Sequence, residues 1–60
     1  MKYSELCKLL RKNGCEVLRE GASHTIWKAP NGNRFTVPRH RTQEVPKGTL
    51  KSIFKDAGLE

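Results

Sequence analysis

Two histidines, His24 and His40, are the side chains of this sequence whose charge changes near neutral pH, so they are its candidates for moving a proton. His24 opens a β-branched and aromatic stretch, whereas His40 lies between Arg39 and Arg41. An imidazole can serve as general base or general acid, and a neighbouring guanidinium can stabilise negative charge on a phosphate. In a small domain a lone histidine is more often a surface or packing residue. Spacing alone therefore does not assign a catalytic role to either histidine.

The other reactive side chains do not form a metal-binding or nucleophilic pattern. The two histidines are far apart and have no acidic or cysteine companion at ligand spacing, so no metal and no cofactor is expected. Adjacent residues of a strand point to opposite faces, so Ser23 is expected not to reach His24 and is interpreted as a turn residue bonded to nearby backbone. Cys7 and Cys15 are not part of a CxxC pair and are interpreted as small apolar core residues.

Length and charge limit the class of protein. Sixty residues, with 12 Lys and Arg against 6 Asp and Glu, give a net charge of +6 and one small domain over residues 1–60. This length excludes a nucleotide-binding α/β enzyme, and no apolar run is long enough to span a membrane. The first residues lack the pattern of a signal peptide, so the chain is expected in the cytoplasm. The positive charge favours nucleic acid or an acidic protein as partner.

Two amphipathic helices are predicted, one near each end of the chain. Apolar residues at i, i+3, i+4 and i+7 indicate a helix over about residues 3–13 and another over about residues 47–57. Ser4, or Lys2-Tyr3 ahead of it, would start the first helix, and Asn13-Gly14 would end it. Pro46 suits the first turn of the second helix, and Gly58 would close it. The stripe residues are Tyr3, Leu6, Cys7 and Leu10 in the first helix and Leu50, Ile53, Phe54 and Ala57 in the second.

Three strand-forming segments lie between the helices, at about residues 15–20, 24–28 and 35–37. The Asn31-Gly32 pair between the last two is a strong hairpin signal, so we expect an antiparallel meander. Helix, three strands and helix make an α+β two-layer sandwich of αβββα order, with both helices on one sheet face. This is the order of the double-stranded-RNA-binding domain. The other sheet face would be exposed.

The length of the hairpin loop decides which face His24 occupies, and the sequence leaves two registers open. A two-residue Asn31-Gly32 loop pairs Ile26 with Val37 and places His24 on the same face as Val37. A three-residue loop that includes Asn33 pairs Trp27 with Val37 and turns His24 to the opposite, exposed face. We favour the second register because it buries the tryptophan. In the thin core of this domain, Trp27 and Phe35 are then expected to pack rather than to stack on bases.

RNA is the substrate on which so few catalytic groups could act. Its 2′-hydroxyl is an internal nucleophile beside the scissile phosphate, so the protein needs only to move a proton and to stabilise added negative charge. DNA lacks this hydroxyl and would be bound without being cut. The candidate RNA contacts are Lys28, Arg34, Arg39, His40 and Arg41.

Several motifs together resemble the HicA family of bacterial toxins. The matching segments are Gly21-Ala22-Ser23-His24 with the strand after it, Pro30-Asn31-Gly32, Val37-Pro38-Arg39-His40, and residues 46–53 and 55–59. The usual turn of the family reads Gly-Ser-His or Gly-Gly-His, and here Ala22 is inserted between Gly21 and Ser23. The resemblance covers most of the chain from Asn13 onward, while the first helix matches only in pattern.

The resemblance implies a double-stranded-RNA-binding-like fold and metal-independent cleavage of mRNA by one catalytic histidine, which is His24 in this sequence. It also implies a HicB antitoxin that covers the active surface, and therefore a toxin–antitoxin hetero-oligomer. Two alternatives remain open at this point. One is a non-catalytic RNA-binding module of the same fold, and the other is a protein whose positive face serves only an acidic partner.

Overall fold

Five elements follow one another in the predicted order. The computed structural model describes residues 1–39 and 42–59. The three strands form an antiparallel sheet of order β1-β2-β3, and both helices contribute to a core on one of its faces. The predicted α+β fold of αβββα order is therefore confirmed. The elements are α1 (Tyr3–Lys12), β1 (Glu16–Glu20), β2 (His24–Lys28), β3 (Arg34–Pro38) and α2 (Lys47–Asp56).

Both helices end in the way that their glycines predict. Helix α1 begins at Tyr3 after an N-cap at Lys2, which decides between the two predicted starts. Gly14 and Gly58 follow the two C-caps with φ angles of 87° and 76°, the left-handed conformation that glycine adopts without strain. In each case the next residue closes the helix end: the Cys15 N–H donates to the Leu10 carbonyl at 3.0 Å, and the Leu59 N–H donates to the Phe54 carbonyl at 2.8 Å.

The tip of the β2–β3 hairpin packs against both glycine-terminated helix ends. A Cβ atom added to Gly14 would lie 2.9 Å from Cγ of Pro30, and one added to Gly58 would lie 2.8 Å from Nδ2 of Asn31. The Asn33 side-chain amide also donates to the Asp56 carbonyl at 3.1 Å. The hairpin tip therefore fixes the C-terminal ends of α1 and α2 relative to the sheet.

The core lies between the helices and one sheet face, and Trp27 is its largest fully buried side chain. Its ring stacks on that of Phe35 with centroids 6.5 Å apart, and its indole N–H donates to the Thr25 hydroxyl at 2.8 Å. This bond satisfies the polar atom of an otherwise apolar side chain. Cys15 is a free thiol in the same core, and burial raises its pKa because the thiolate would lose its hydration.

The hairpin register has the predicted faces but not the predicted pairs. Trp27 pairs with Phe35, so the expected Trp27–Val37 and Ile26–Val37 pairs are both wrong. The loop between the strands has three residues, 30–32. The Ala29 N–H donates to the Asn33 carbonyl at 2.8 Å, and the Gly32 N–H donates to the Ala29 carbonyl at 3.0 Å. Pro30 is the first residue of the loop, a turn position that suits proline. This register differs by two residues from the favoured one, and a shift of two keeps every side chain on its face.

As a result, Trp27, Phe35 and Val37 face the core, and His24 lies on the opposite, open face of the sheet.

Neither helix in the described part of the chain has the length and apolarity that a membrane crossing requires.

Candidate active site on the open sheet face

The sheet face away from the core carries most of the polar strand residues. Cross-strand partners share a face, so the pairing places each of these side chains. The face is exposed along its length apart from half-buried Ile26, Lys28 and Pro38. Its residues are Glu16 and Arg19 from β1, His24, Ile26 and Lys28 from β2, and Arg34, Thr36 and Pro38 from β3.

A β-bulge at Leu18 brings Arg19 to this face. Val17 pairs with Trp27 on the core side, and in a regular strand Arg19, two residues later, would also point to the core. The bulge inserts Leu18 as an extra residue, so Arg19 pairs with Ile26 on the open side instead. Bulges commonly re-aim side chains next to functional sites. Here the bulge turns a guanidinium towards the face that carries His24.

The imidazole of His24 is exposed and is bonded to its sequence neighbour. Its Nδ1 atom lies 2.9 Å from the Ser23 hydroxyl oxygen. The expectation that these two side chains cannot meet is therefore wrong. Alternation between faces applies within a strand, but β2 begins at His24, so Ser23 belongs to the preceding turn and is free of that rule. The other ring nitrogen, Nε2, has no hydrogen bond within the described part of the chain.

Arg39 holds the turn that carries these two residues. Its backbone N–H donates to the Ser23 carbonyl at 3.0 Å, and its guanidinium Nη1 donates to the Gly21 carbonyl at 2.8 Å. The Gly21 N–H in turn donates to the His24 carbonyl at 2.8 Å. Arg39 was predicted from the sequence as a phosphate contact. The structure places its exposed guanidinium beside the His24 turn, with further N–H groups available to a ligand.

Two shallow grooves meet at His24. One groove runs across the sheet and is lined by Arg19, Ile26 and Thr36 together with the residues of the 21–24 turn. The other lies between β3 and α2 and is lined by Thr36, Thr49 and Ser52 among others. His24 and Thr36 line both grooves. A single-stranded polymer lying along either groove would pass the imidazole.

The remaining predicted contacts are not grouped around His24. Lys28 and Arg34 pair with each other at the far end of β2 and β3, four residues along the strand from His24, which is about 13 Å at the usual rise. Their backbone positions are therefore well separated from that of the histidine. His40 and Arg41 lie outside the described residues.

Arg19 and Ser23 are two site residues that the sequence reasoning did not identify. The sequence did contain a signal for Arg19. In a regular strand Val17 and Arg19 would face the same side, and a charged residue on the core side indicates a bulge. The signal for Ser23 was its position directly before the strand. A hydroxyl in a turn has more freedom of direction than one inside a strand.

Some kinds of site are not offered by the residues described. Residues 1–39 and 42–59 contain no group of three or more His, Cys, Asp and Glu side chains placed to hold a metal ion. All four aromatic side chains of the chain lie in this part. Tyr3, Trp27 and Phe35 are buried and Phe54 packs partly buried against the core, so no aromatic ring faces either groove for bases to stack on.

Comparisons with known proteins agree on one family. The family model described as "HicA toxin of bacterial toxin-antitoxin" matches residues 3–59. The chain is 35% identical to "Probable mRNA interferase HicA 2" of Photorhabdus laumondii over the full length of both proteins. It is 37% identical to "Probable mRNA interferase HicA" of Pseudomonas fluorescens, over 100% of this chain and 98% of that protein.

A solved structure gives the same result for the fold. A chain in the "Crystal structure of the E.coli HicAB toxin-antitoxin complex" superposes with a TM-score of 0.86 at 32% sequence identity, covering 98% of this chain and 100% of that one. Because the family model spans nearly all of the sequence and the relatives match along their whole length, this chain belongs to the HicA toxin family.

Proposed function

We propose that this chain is an mRNA interferase, the toxin of a toxin–antitoxin pair, which cuts RNA without a metal ion by using His24 as its one catalytic histidine. The observation that carries the proposal is the exposed imidazole at the meeting point of two grooves, with Nδ1 bonded to Ser23. The relatives named as mRNA interferases support this function. A toxin that acts on mRNA would work in the cytoplasm, which we propose as its location.

The RNA itself supplies the nucleophile in the proposed reaction. Nε2 of His24 takes the proton of the 2′-hydroxyl, and the 2′-oxygen forms a bond to the adjacent phosphorus. The bond from phosphorus to the 5′-oxygen of the next nucleotide breaks, and this oxygen takes the proton back from the imidazolium. The products are a 2′,3′-cyclic phosphate and a 5′-hydroxyl end. No redox partner or second substrate is needed.

Positively charged residues divide between the reacting phosphate and its neighbours. Arg19 lines the groove across the sheet with His24, and Arg39 is bonded to the Gly21 carbonyl of the His24 turn, so both would stabilise the charge that develops on the phosphate. Lys28 and Arg34, at the far end of the strands, would bind a phosphate further along the same RNA strand. We also propose His40 and Arg41 as RNA contacts, on the basis of their position after Arg39 in the sequence.

The proposed inhibitor is a HicB antitoxin that covers the face carrying His24. The similar fold in the HicAB complex supports this type of partner. The net charge of +6 favours an acidic partner surface. Such a partner would compete with RNA for the same arginine and lysine side chains. Inhibition and substrate exclusion would then be one event, and the complex would be a hetero-oligomer.

The variant His24→Ala tests the catalytic assignment. We expect the purified wild-type protein to cut single-stranded RNA in excess EDTA and to leave DNA of the same sequence intact. The His24→Ala protein should bind this RNA with similar affinity and should not cut it, because the proton acceptor is lost. His40→Ala is the matched control, and we expect it to weaken binding while cutting continues.

Two results would contradict the proposal. If neither protein cuts RNA but both bind it, the chain is an RNA-binding module without this activity. If cleavage stops in EDTA and returns with added divalent cation, metal independence is wrong.

A further inference from the structure

We propose that Ser23 is a positioning residue for the catalytic imidazole, with its hydroxyl oxygen accepting a hydrogen bond from the Nδ1–H group of His24. This inference rests on the proposed function, in which His24 moves the proton. It concerns the 2.9 Å contact between the two side chains, which the sequence had led us to exclude. Ser23 does not touch the reacting atoms. It acts through the ring.

The ring needs such a contact because it is exposed. A buried histidine is held by its neighbours, whereas a solvent-exposed imidazole can rotate about its side-chain bonds. Within the described part of the chain, Ser23 is the side chain bonded to this ring. A reacting group that must approach the 2′-hydroxyl within hydrogen-bond distance gains rate when its orientation is fixed beforehand.

The serine can orient the ring because its own backbone is fixed. The Ser23 carbonyl accepts the Arg39 N–H at 3.0 Å, and the Arg39 guanidinium binds the Gly21 carbonyl at 2.8 Å. The Gly21 N–H closes the turn by donating to the His24 carbonyl. These bonds anchor the turn on both sides of the Ser23 side chain. The imidazole is therefore bonded to a turn that three hydrogen bonds hold in place.

The direction of the bond follows from the reaction. A neutral imidazole has one N–H group and an imidazolium has two, so Nδ1 can donate in both states when Nε2 is the atom that gains and loses the proton. A serine oxygen that accepts from Nδ1–H thus keeps its bond throughout the proposed reaction. If the serine hydroxyl donated to Nδ1 instead, Nε2 would carry the hydrogen and could not act as the base.

The test compares Ser23→Ala with Ser23→Thr, which keeps the hydroxyl. Neither change should disturb the fold, because Ser23 is exposed and, in the described part of the chain, no residue other than glycine has a positive φ. We expect Ser23→Ala to lower kcat by about 10- to 100-fold with KM nearly unchanged. We expect Ser23→Thr to keep most of the wild-type kcat, because the hydroxyl is retained. Ser4→Ala is the matched control, since Ser4 lies in α1, which packs on the face of the sheet opposite to His24.

A second measurement does not depend on cleavage. Long-range proton–nitrogen NMR correlations of the imidazole distinguish the two neutral tautomers at a pH where the ring is uncharged. We expect the Nδ1–H form to be enriched in the wild type and in Ser23→Thr, and to be depleted in Ser23→Ala.

The results separate failure of this proposal from failure of the proposed function. Equal kcat and equal tautomer populations in wild type and Ser23→Ala would overturn the role of Ser23 while leaving His24 catalytic. If the wild-type protein cuts no RNA, the proposed function fails, and the tautomer comparison alone then decides whether Ser23 orients the ring.

Discussion

Three residues of β2, His24, Thr25 and Trp27, show how one strand contributes to both the core and the candidate site. Trp27 and Thr25 point into the core, where the indole N–H bonds the threonine hydroxyl at 2.8 Å and leaves no polar group of the tryptophan unsatisfied. His24, next to Thr25, faces the open side with its imidazole in solvent. The buried residues fix the strand, and the strand fixes the backbone from which the imidazole extends. The side chain proposed to do chemistry therefore contributes little to the core.

Arginine position along the sheet should separate effects on catalysis from effects on binding. Arg19 lines the same groove as His24, whereas Arg34 lies at the opposite end of β3 from Pro38, the residue paired with His24. We expect Arg19→Gln to lower kcat by about tenfold, since one charge near the reacting phosphate is lost. We expect Arg34→Gln to raise KM and leave kcat nearly unchanged.

Steady-state kinetics on a short single-stranded RNA would measure both constants. The two variants lose the same charge, so they control for each other. Equal effects of the two on kcat would mean that the bulge at Leu18 does not bring Arg19 to the reacting phosphate.

At the scale of elements, the helices and their ends were predictable while the details of the sheet were not. The apolar stripe of α1 and the glycine after each helix are local signals, and both helix ends have the predicted closing bonds. The pairs of the hairpin depend on which residues form its loop. The loop begins at Pro30, one residue earlier than the favoured prediction, so the pairs differ. The charge of Arg19, two residues after Val17, indicated an irregular β1, but the place of the bulge at Leu18 depends on how β1 pairs with β2.

The candidate site was predicted to a similar extent. His24 was identified from its motif, and its open face followed from burial of Trp27. The Ser23 contact was missed because the alternation rule was applied one residue before the strand begins. Arg39 was identified as a cation, but its bonds to the 21–24 turn involve residues distant in sequence and could not be read from it.

The two helix-terminal glycines should be sensitive to substitution. Alanine at Gly14 or Gly58 would have to adopt a left-handed conformation and would also place its Cβ within 3.0 Å of the hairpin tip. We expect each change to lower the free energy of unfolding by about 1–2 kcal/mol. Gly48 is the matched control, since it lies in α2 with nothing within 4 Å of an added Cβ. There, alanine should raise stability by about 0.5 kcal/mol through its higher helix propensity.

Urea unfolding followed by circular dichroism would give the three values. If Gly14→Ala and Gly58→Ala are no less stable than Gly48→Ala, the hairpin tip does not pack against the helix ends as described.

At the scale of the whole molecule, the positive charge and the buried aromatic rings together determine which parts of an RNA the protein would contact. The chain carries a net charge of +6, and its open face presents Arg19, Lys28 and Arg34, while every aromatic ring is packed in or against the core. Phosphate contacts position a nucleic acid but carry no sequence information, whereas sequence-tolerant stacking requires exposed rings. Binding should therefore depend mainly on the phosphate backbone.

We therefore expect the affinity for RNA to depend strongly on salt concentration and weakly on RNA sequence. The four described cations that we propose as phosphate contacts, Arg19, Lys28, Arg34 and Arg39, would neutralise four phosphates and release about three counterions from a single strand. The logarithm of the association constant should then fall against the logarithm of salt concentration with a slope of about −3 for a single strand. Fluorescence anisotropy with the non-cutting His24→Ala protein would measure it, on an all-uridine RNA and on a mixed sequence of equal length.

A double variant provides the control for this slope. Changing Lys28 and Arg34 together to Gln removes two of the four contacts at the end of the sheet away from His24. The slope should therefore become shallower by about 1.4. Because phosphates are alike in every sequence, the two RNAs should lose affinity equally in this variant. Unequal losses, or an affinity that does not change with salt, would mean that contacts to bases rather than to the backbone hold the RNA on this face.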